Sequence, residues 1–137
     1  MKINNSVKDK IKETTRRTQQ VSFDIDNENY IVEVATFFSM PIREKMIQEI
    51  KWMTEENSKK YGGEMLSIFL FIKLMTDIEW TDELDEDLDL FLTLAEFGVI
   101  NKILDKIPEN IIQEMSEFLM NIAEAQASLM EVERTSS

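Results

Sequence analysis

Glu64-Met65-Leu66-Ser67-Ile68-Phe69-Leu70-Phe71-Ile72-Lys73-Leu74-Met75-Thr76-Asp77 is the stretch on which the fold turns. Its apolar residues cover almost every side of a helical projection instead of forming one stripe. A helix of that kind is the buried centre of a domain, with other elements packed around it. An apolar run of this sort also suits a buried strand, but its length and the flanking Met-Leu pattern select a helix. The strongest apolar patch, Ile68 to Ile72, is interrupted at once by Lys73 and is far too short to cross a bilayer.

On the N-terminal side, Gly62-Gly63 reads as a breaker and Glu56–Gly63 as a loop. Before it, Ile42, Met46, Ile50 and Met53 recur at helical spacing, and Pro41 suits the first turn, so a helix is predicted from Pro41 to about Glu55. Further upstream, Val21, Phe23 and Ile25 alternate with polar residues. Asn27-Glu28-Asn29 reads as a turn and Tyr30-Ile31-Val32-Glu33-Val34 as a second strand. Two strands alone are marginal, so the hairpin must pack on the helices or offer its edge to a partner.

On the C-terminal side, Thr81 is the expected N-cap of a helix whose first turn holds Asp82 and Glu83. Leu84, Leu88, Phe91, Leu92 and Ala95 form its expected buried face, and Gly98 ends it. A short helix follows over 99–107, and Pro108 opens a last helix reaching about Val132. The fold class is therefore mostly α: a bundle of four to five helices with a small N-terminal β-hairpin. The expected divisions are a basic flexible arm at 1–20, a single acidic helical domain at 21–133 and a frayed tail at 134–137. The expected core comprises Ile42, Met46, Ile50, Leu66, Phe69, Leu70, Leu74, Leu88, Phe91, Leu92, Ile103, Met115 and Ile122.

At 137 residues and 43% apolar content, the chain is long enough for one domain with a real core. Its charge is unevenly divided. Residues 1–20 carry six Lys or Arg against Asp9 and Glu13, a net +4, while the other residues carry −16. Lys8 to Arg17 reads as a transient helix, within either a loose terminus or a binding arm that orders on a partner. An overall charge of −12 disfavours nucleic acid and anionic membrane as partners and favours a basic protein surface. Direct nucleic-acid binding by the arm, which has no aromatic residue for stacking, is a minor reading.

The composition excludes several chemistries. There is no cysteine, so disulfides and thiolate metal sites are absent, in keeping with an intracellular location. There is no histidine, so imidazole acid–base chemistry, His-based metal sites and a Ser-His-Asp triad are absent too. The start of the chain has no apolar stretch of a secretory signal. Gly62-Gly63 lacks the lysine-serine of a phosphate loop. The run Glu79 to Asp89 lacks the central glycine and final glutamate of a calcium loop. The expectation is a protein that is not an enzyme, with no catalytic residues, no metal and no cofactor.

The acidic run itself reads either as a solvated helix face or as a docking surface. Nine methionines serve as adaptable core filler or line a partner groove. The partner-binding candidates are the hairpin edge at Tyr30, Val32 and Val34, the aromatic anchors Trp52 and Trp80, and the acids Asp82, Glu83, Glu86 and Asp89.

From Tyr30 onward the order of elements resembles a small acidic protein family encoded in phage and prophage structural modules of Gram-positive bacteria. The residues that carry the resemblance are Tyr30-Ile31-Val32-Glu33-Val34, then Met40-Pro41-Ile42-Arg43-Glu44-Lys45, then the apolar helix ending Met75-Thr76-Asp77-Ile78-Glu79-Trp80-Thr81. Leu90-Phe91-Leu92, Phe97-Gly98-Val99-Ile100 and Ile107-Pro108-Glu109 complete it. The basic arm at 1–20 has no counterpart in that pattern. The resemblance implies a virion-morphogenesis protein, a tail-assembly chaperone or minor structural component, bound to other phage structural proteins and able to self-associate. It would work in the cytoplasm of the bacterial host, and one variant stays in the virion. The alternative reading is an acidic inhibitor or nucleic-acid mimic that blocks a host DNA-binding or defence protein.

Overall fold

The computed structural model describes residues 1–135, and the side chains of residues 1–129. Among the described residues it is mostly helical, with seven α-helices and one two-stranded antiparallel hairpin. In chain order these are α1 (Asn5–Thr15), β1 (Thr18–Ile25), β2 (Glu28–Ala35), α2 (Met40–Glu49), α3 (Glu55–Tyr61), α4 (Gly63–Met75), α5 (Leu84–Glu96), α6 (Val99–Lys106) and α7 (Glu109–Thr135), with a 3-10 turn at Ile50–Trp52 after α2.

Seven helices replace the expected four to five because a segment read as a loop is helical and one read as only a transient helix is formed. Glu55–Tyr61 has every local helix signal. The Thr54 hydroxyl caps it by accepting from the Asn57 N–H at 3.1 Å, Glu55 and Glu56 fill the first turn, and Lys59 and Lys60 the last. Gly62 then ends it at φ +90°, a conformation that glycine adopts without penalty. The second segment is α1, within the stretch read as a flexible arm. Asn4 caps it by accepting from the Val7 N–H at 3.0 Å, yet none of its residues is buried. The stretch 1–20 also contains the start of the hairpin, since β1 begins at Thr18.

The hairpin turn is Asp26-Asn27, one step earlier than the expected Asn27-Glu28-Asn29. Both residues have positive φ (50° and 67°), the requirement of a two-residue hairpin turn whose twist matches the strands. The register pairs Val21 with Val32 and Phe23 with Tyr30 on the face toward the helices. Val21, Val32 and Val34 are buried there, and Phe23 stacks on Tyr30 at 5.6 Å between ring centres.

The core surrounds α4, as its pattern requires. Leu66, Phe69, Leu70, Phe71, Ile72, Leu74 and Met75 are all buried, and α2, α3 and α6 pack against the helix. Phe69 meets Phe91 of α5 and Trp80 edge-on, at 5.7 and 5.3 Å. Arg43 on α2 lies over the Phe38 ring, 4.2 Å from its centre, and pairs with Glu114, pinning α7 to the body. The core differs from expectation at α5. Leu92 is 46% exposed and Ala95 is exposed, while Asp87, Leu88, Phe91 and Leu94 point inward. Ile42 and Ile122 are partly buried against the core. Arg134 and Thr135, expected to fray, lie in α7, and Ser136 and Ser137 lie outside the described residues. No helix among the described residues is long and apolar enough to cross a membrane.

Asp87 is the buried carboxylate that sets the start of α5. Its Oδ1 accepts from the Thr81 N–H and hydroxyl, both at 2.8 Å, and its Oδ2 accepts from the Asp82 N–H at 3.1 Å. Thr81 is therefore not the N-cap. Glu83 occupies that position without a side-chain cap bond, and Thr81 holds the preceding loop through Asp87. That loop contains Asp82 at φ +66°. Replacing Asp87 with Ala leaves these donors unpaired and is expected to cost about 2–4 kcal/mol in urea unfolding, whereas Asp87→Asn, which keeps an acceptor, is expected to cost less. Equal stability of D87A and wild type would show that the carboxylate does not hold the loop.

Candidate functional site

Lys73 is the one charged residue set among the buried residues of α4, and its side chain is only 9% exposed. A buried ammonium must be paired. Glu49, at the end of α2, supplies a carboxylate oxygen at 2.9 Å, and Asp82 supplies one at 3.4 Å. Trp52 joins the cluster by donating its indole N–H to Glu49 at 3.1 Å, with Lys73 6.0 Å from its ring centre. The segment 76–82, which is neither helix nor named strand, passes the same place. Between it, α2 and α4 lies a cleft of about 380 Å³ lined by Lys45, Glu49, Lys73, Asp77, Trp80 and Asp82, among others.

The structure thus brings three sequence-derived candidates, Trp52, Trp80 and Asp82, around one ion cluster. Trp80 is half-buried against Phe69, and its indole N–H is buried without a protein acceptor among the described residues. Glu83, Glu86 and Asp89 are exposed near the start of α5 and along its outer face, and do not line the cleft. Tyr30 is 43% exposed and donates its hydroxyl to Glu28 at 2.9 Å, also away from the cleft lining.

Val32 and Val34 cannot serve as surface contacts, because they are 6% and 0% exposed in the core. The edge they were expected to offer is also partly occupied. Thr76 bridges Val34, the Asp77 N–H donates to the Glu33 carbonyl at 3.2 Å, and the Glu33 N–H donates to the Asp77 carboxylate at 2.9 Å. Segment 76–77 thus covers the end of β2 at Glu33 and Val34, and that part of the edge is not open to a partner strand.

Lys73, Glu49 and Asp87 are the functional-looking groups that sequence reasoning did not single out. Lys73 had a signal, as a lone charge in an apolar helix. Glu49 and Asp87 had none, because nothing local distinguishes a paired acid from the many solvated ones. Among the described residues, no group of three or more Asp or Glu is arranged to hold a metal ion. The carboxylates at the cleft are opposed by Lys73 and Lys45, so the cleft is lined by polar side chains of both charges. Comparison with protein-family models, with curated proteins and with solved structures finds no match.

Two measurements check this geometry. Lys73→Ala strands Glu49 beside the core and is expected to cost about 2 kcal/mol in denaturant unfolding, whereas Lys73→Met, which keeps the apolar stem, is expected to lose less. If both match wild type, the cluster carries no stability. The second concerns Glu33 on the hairpin's outer face. It accepts from the Thr18 hydroxyl at 2.7 Å and the Gln20 amide at 2.8 Å, and these bonds favour its charged form and lower its pKa. Its contribution to stability is full above the ordinary carboxylate range and is lost as pH falls through the lowered value. A carboxyl NMR titration is expected to show that low midpoint, and Thr18→Val to raise it. An unchanged midpoint in Thr18→Val would refute the assignment.

Proposed function

We propose that this chain is a protein-binding assembly factor whose contact surface is the outer side of α5 and its junction with α6. The observation that carries this reading is the mixture of groups exposed there. At 100° per residue, Asp85, Glu86, Asp89 and Glu96 share one side of α5, with Leu90 and Phe97 along one edge and Leu92 along the other. All the acids are exposed, and Leu90, Leu92 and Phe97 are 38%, 46% and 57% exposed. A basic protein surface with apolar groups complements such a face. The acids set encounter and orientation, and the leucines and phenylalanine supply contact area. The cleft at Trp80 and Asp82 offers a neighbouring polar contact.

The phage setting rests on the order of sequence elements from Tyr30 to Glu109. On it, the proposed role is virion morphogenesis, as a tail-assembly chaperone or minor structural component that covers an apolar surface of another phage protein until assembly. The alternative, an acidic inhibitor or nucleic-acid mimic, draws on the carboxylate density of α5. It leaves the exposed Leu92 and Phe97 outside the charge match on which mimicry rests.

The test is co-purification from prophage-induced bacterial cells at two salt concentrations, with wild type and Leu92→Glu/Phe97→Glu. The expected result is recovery of tail or connector proteins by wild type and their loss by the variant, with an unchanged circular dichroism melt. Recovery of a DNA-binding protein that high salt releases and the double substitution does not affect would favour the inhibitor.

A further inference from the structure

Two unpartnered amphipathic faces of opposite charge lie at opposite ends of this sequence. Helix α7 carries apolar residues at Ile111, Met115, Phe118, Ile122, Ala125 and Leu129, in alternating steps of four and three. That is the seam spacing of a coiled coil. The body uses only its beginning. Ile111 and Met115 are buried, Phe118 and Ile122 pack against the core, and Ala125 and Leu129 are exposed, Leu129 by 65%. At 27 residues, α7 is about 40 Å long. From Glu109 to Glu133 it contains no Lys or Arg, and Glu117 and Glu124 are exposed seven residues apart on one flank of the stripe.

The counterpart is at the other end. Ile3, Val7 and Ile11 recur every four residues at the start of the chain and along α1, with Lys8 and Lys10 on either side. Ile3 and Ile11 are 60% and 50% exposed, and α1 buries no residue. With Phe37, 41% exposed, Val7 and Ile11 line an open groove of about 340 Å³. The exposed stripes on α1 and α7 each run for about 10 Å. Helix α1 is separated from β1 only by Arg16 and Arg17, and the Arg17 carbonyl accepts from the Thr36 hydroxyl at 3.3 Å. This short tie holds α1 beside Phe37, and the α7 stripe of the same chain remains open.

We infer that the exposed part of the α7 stripe is covered by α1 of a second copy of this chain, in a reciprocal two-fold dimer. The charge complementarity argues for this pairing over α7 against α7, which would set Glu117 and Glu124 of one copy against acids of the other. The apolar stripes supply contact, and the charges choose the partner helix. The dimer is independent of the α5 surface, so either can fail without the other.

The test is the mass of the full chain in solution by sedimentation equilibrium, at low and high salt. Wild type is expected to be a dimer that weakens as salt rises. Lys8→Glu/Lys10→Glu and Glu117→Lys/Glu124→Lys are each expected to dimerise about tenfold more weakly. An equimolar mixture of the two variants restores opposite charges at both contacts and is expected to recover wild-type affinity. All four positions are exposed, and circular dichroism checks that the variants fold. Leu129→Glu is expected to give monomers. A monomer under all conditions would overturn the inference. So would a dimer that α1 substitutions leave intact, because that result assigns the pairing to α7 alone.

Discussion

The burial of α4 is the constraint on which the rest of the structure depends. A helix apolar on nearly all sides has no face to give to water, so each neighbouring element is placed by the need to cover it. Helices α2, α3 and α6 meet it directly, and Phe69 reaches α5 through Phe91. The hairpin, too small to be stable alone, gains its place by burying Val21, Val32 and Val34 in the same core. Lys73 is the exception within this helix. Its ammonium draws Glu49 and Asp82 to it, fixing where α2 ends and where the loop before α5 runs.

The acidic groups of the chain therefore serve different purposes despite looking alike in sequence. Asp87 is a buried acceptor that organises a loop, and Glu49 neutralises a buried lysine. Glu33 ties the two strands together on their outer face through Thr18 and Gln20. Glu86, Asp89 and Glu96, with Asp85, which also pairs with Lys60 and Tyr61, form the anionic side of α5. This last group gives α5 a directional acidic side, and exposed Leu92 and Phe97 bring apolar contact to it. That composition is what the proposed docking of a folded protein partner draws on.

The surfaces proposed for recognition lie on elements that the core does not consume. Helix α5 gives one side to the core and the other to solvent, while α7 runs out of core after Ile122. The basic α1 is tethered to the hairpin and contributes nothing to the interior. The proposed contacts, with a partner or with a second copy, can thus be altered without disturbing the packing around α4.

The amino-acid sequence by itself determined the mostly helical class, the central position of α4, the hairpin and most of the core. Those features follow from local periodicity: period 2 in the strands, the i to i+4 recurrence of Ile42, Met46 and Ile50, and an apolar run too dense for any surface. The caps of α1 and α3 at Asn4 and Thr54 were passed over, because the polar stretches they open read as an arm and a loop. Only the tertiary structure decided which way α5 turned, exposing Leu92 and burying Asp87, because both rotations satisfy a helical leucine pattern. It likewise decided that Thr76 and Asp77 cover the end of β2 at Glu33 and Val34, and that Lys73, Glu49, Trp52 and Asp82 converge. These are contacts between residues far apart in the chain, and hydrophobic periodicity carries no information about which polar groups then meet across the packed elements.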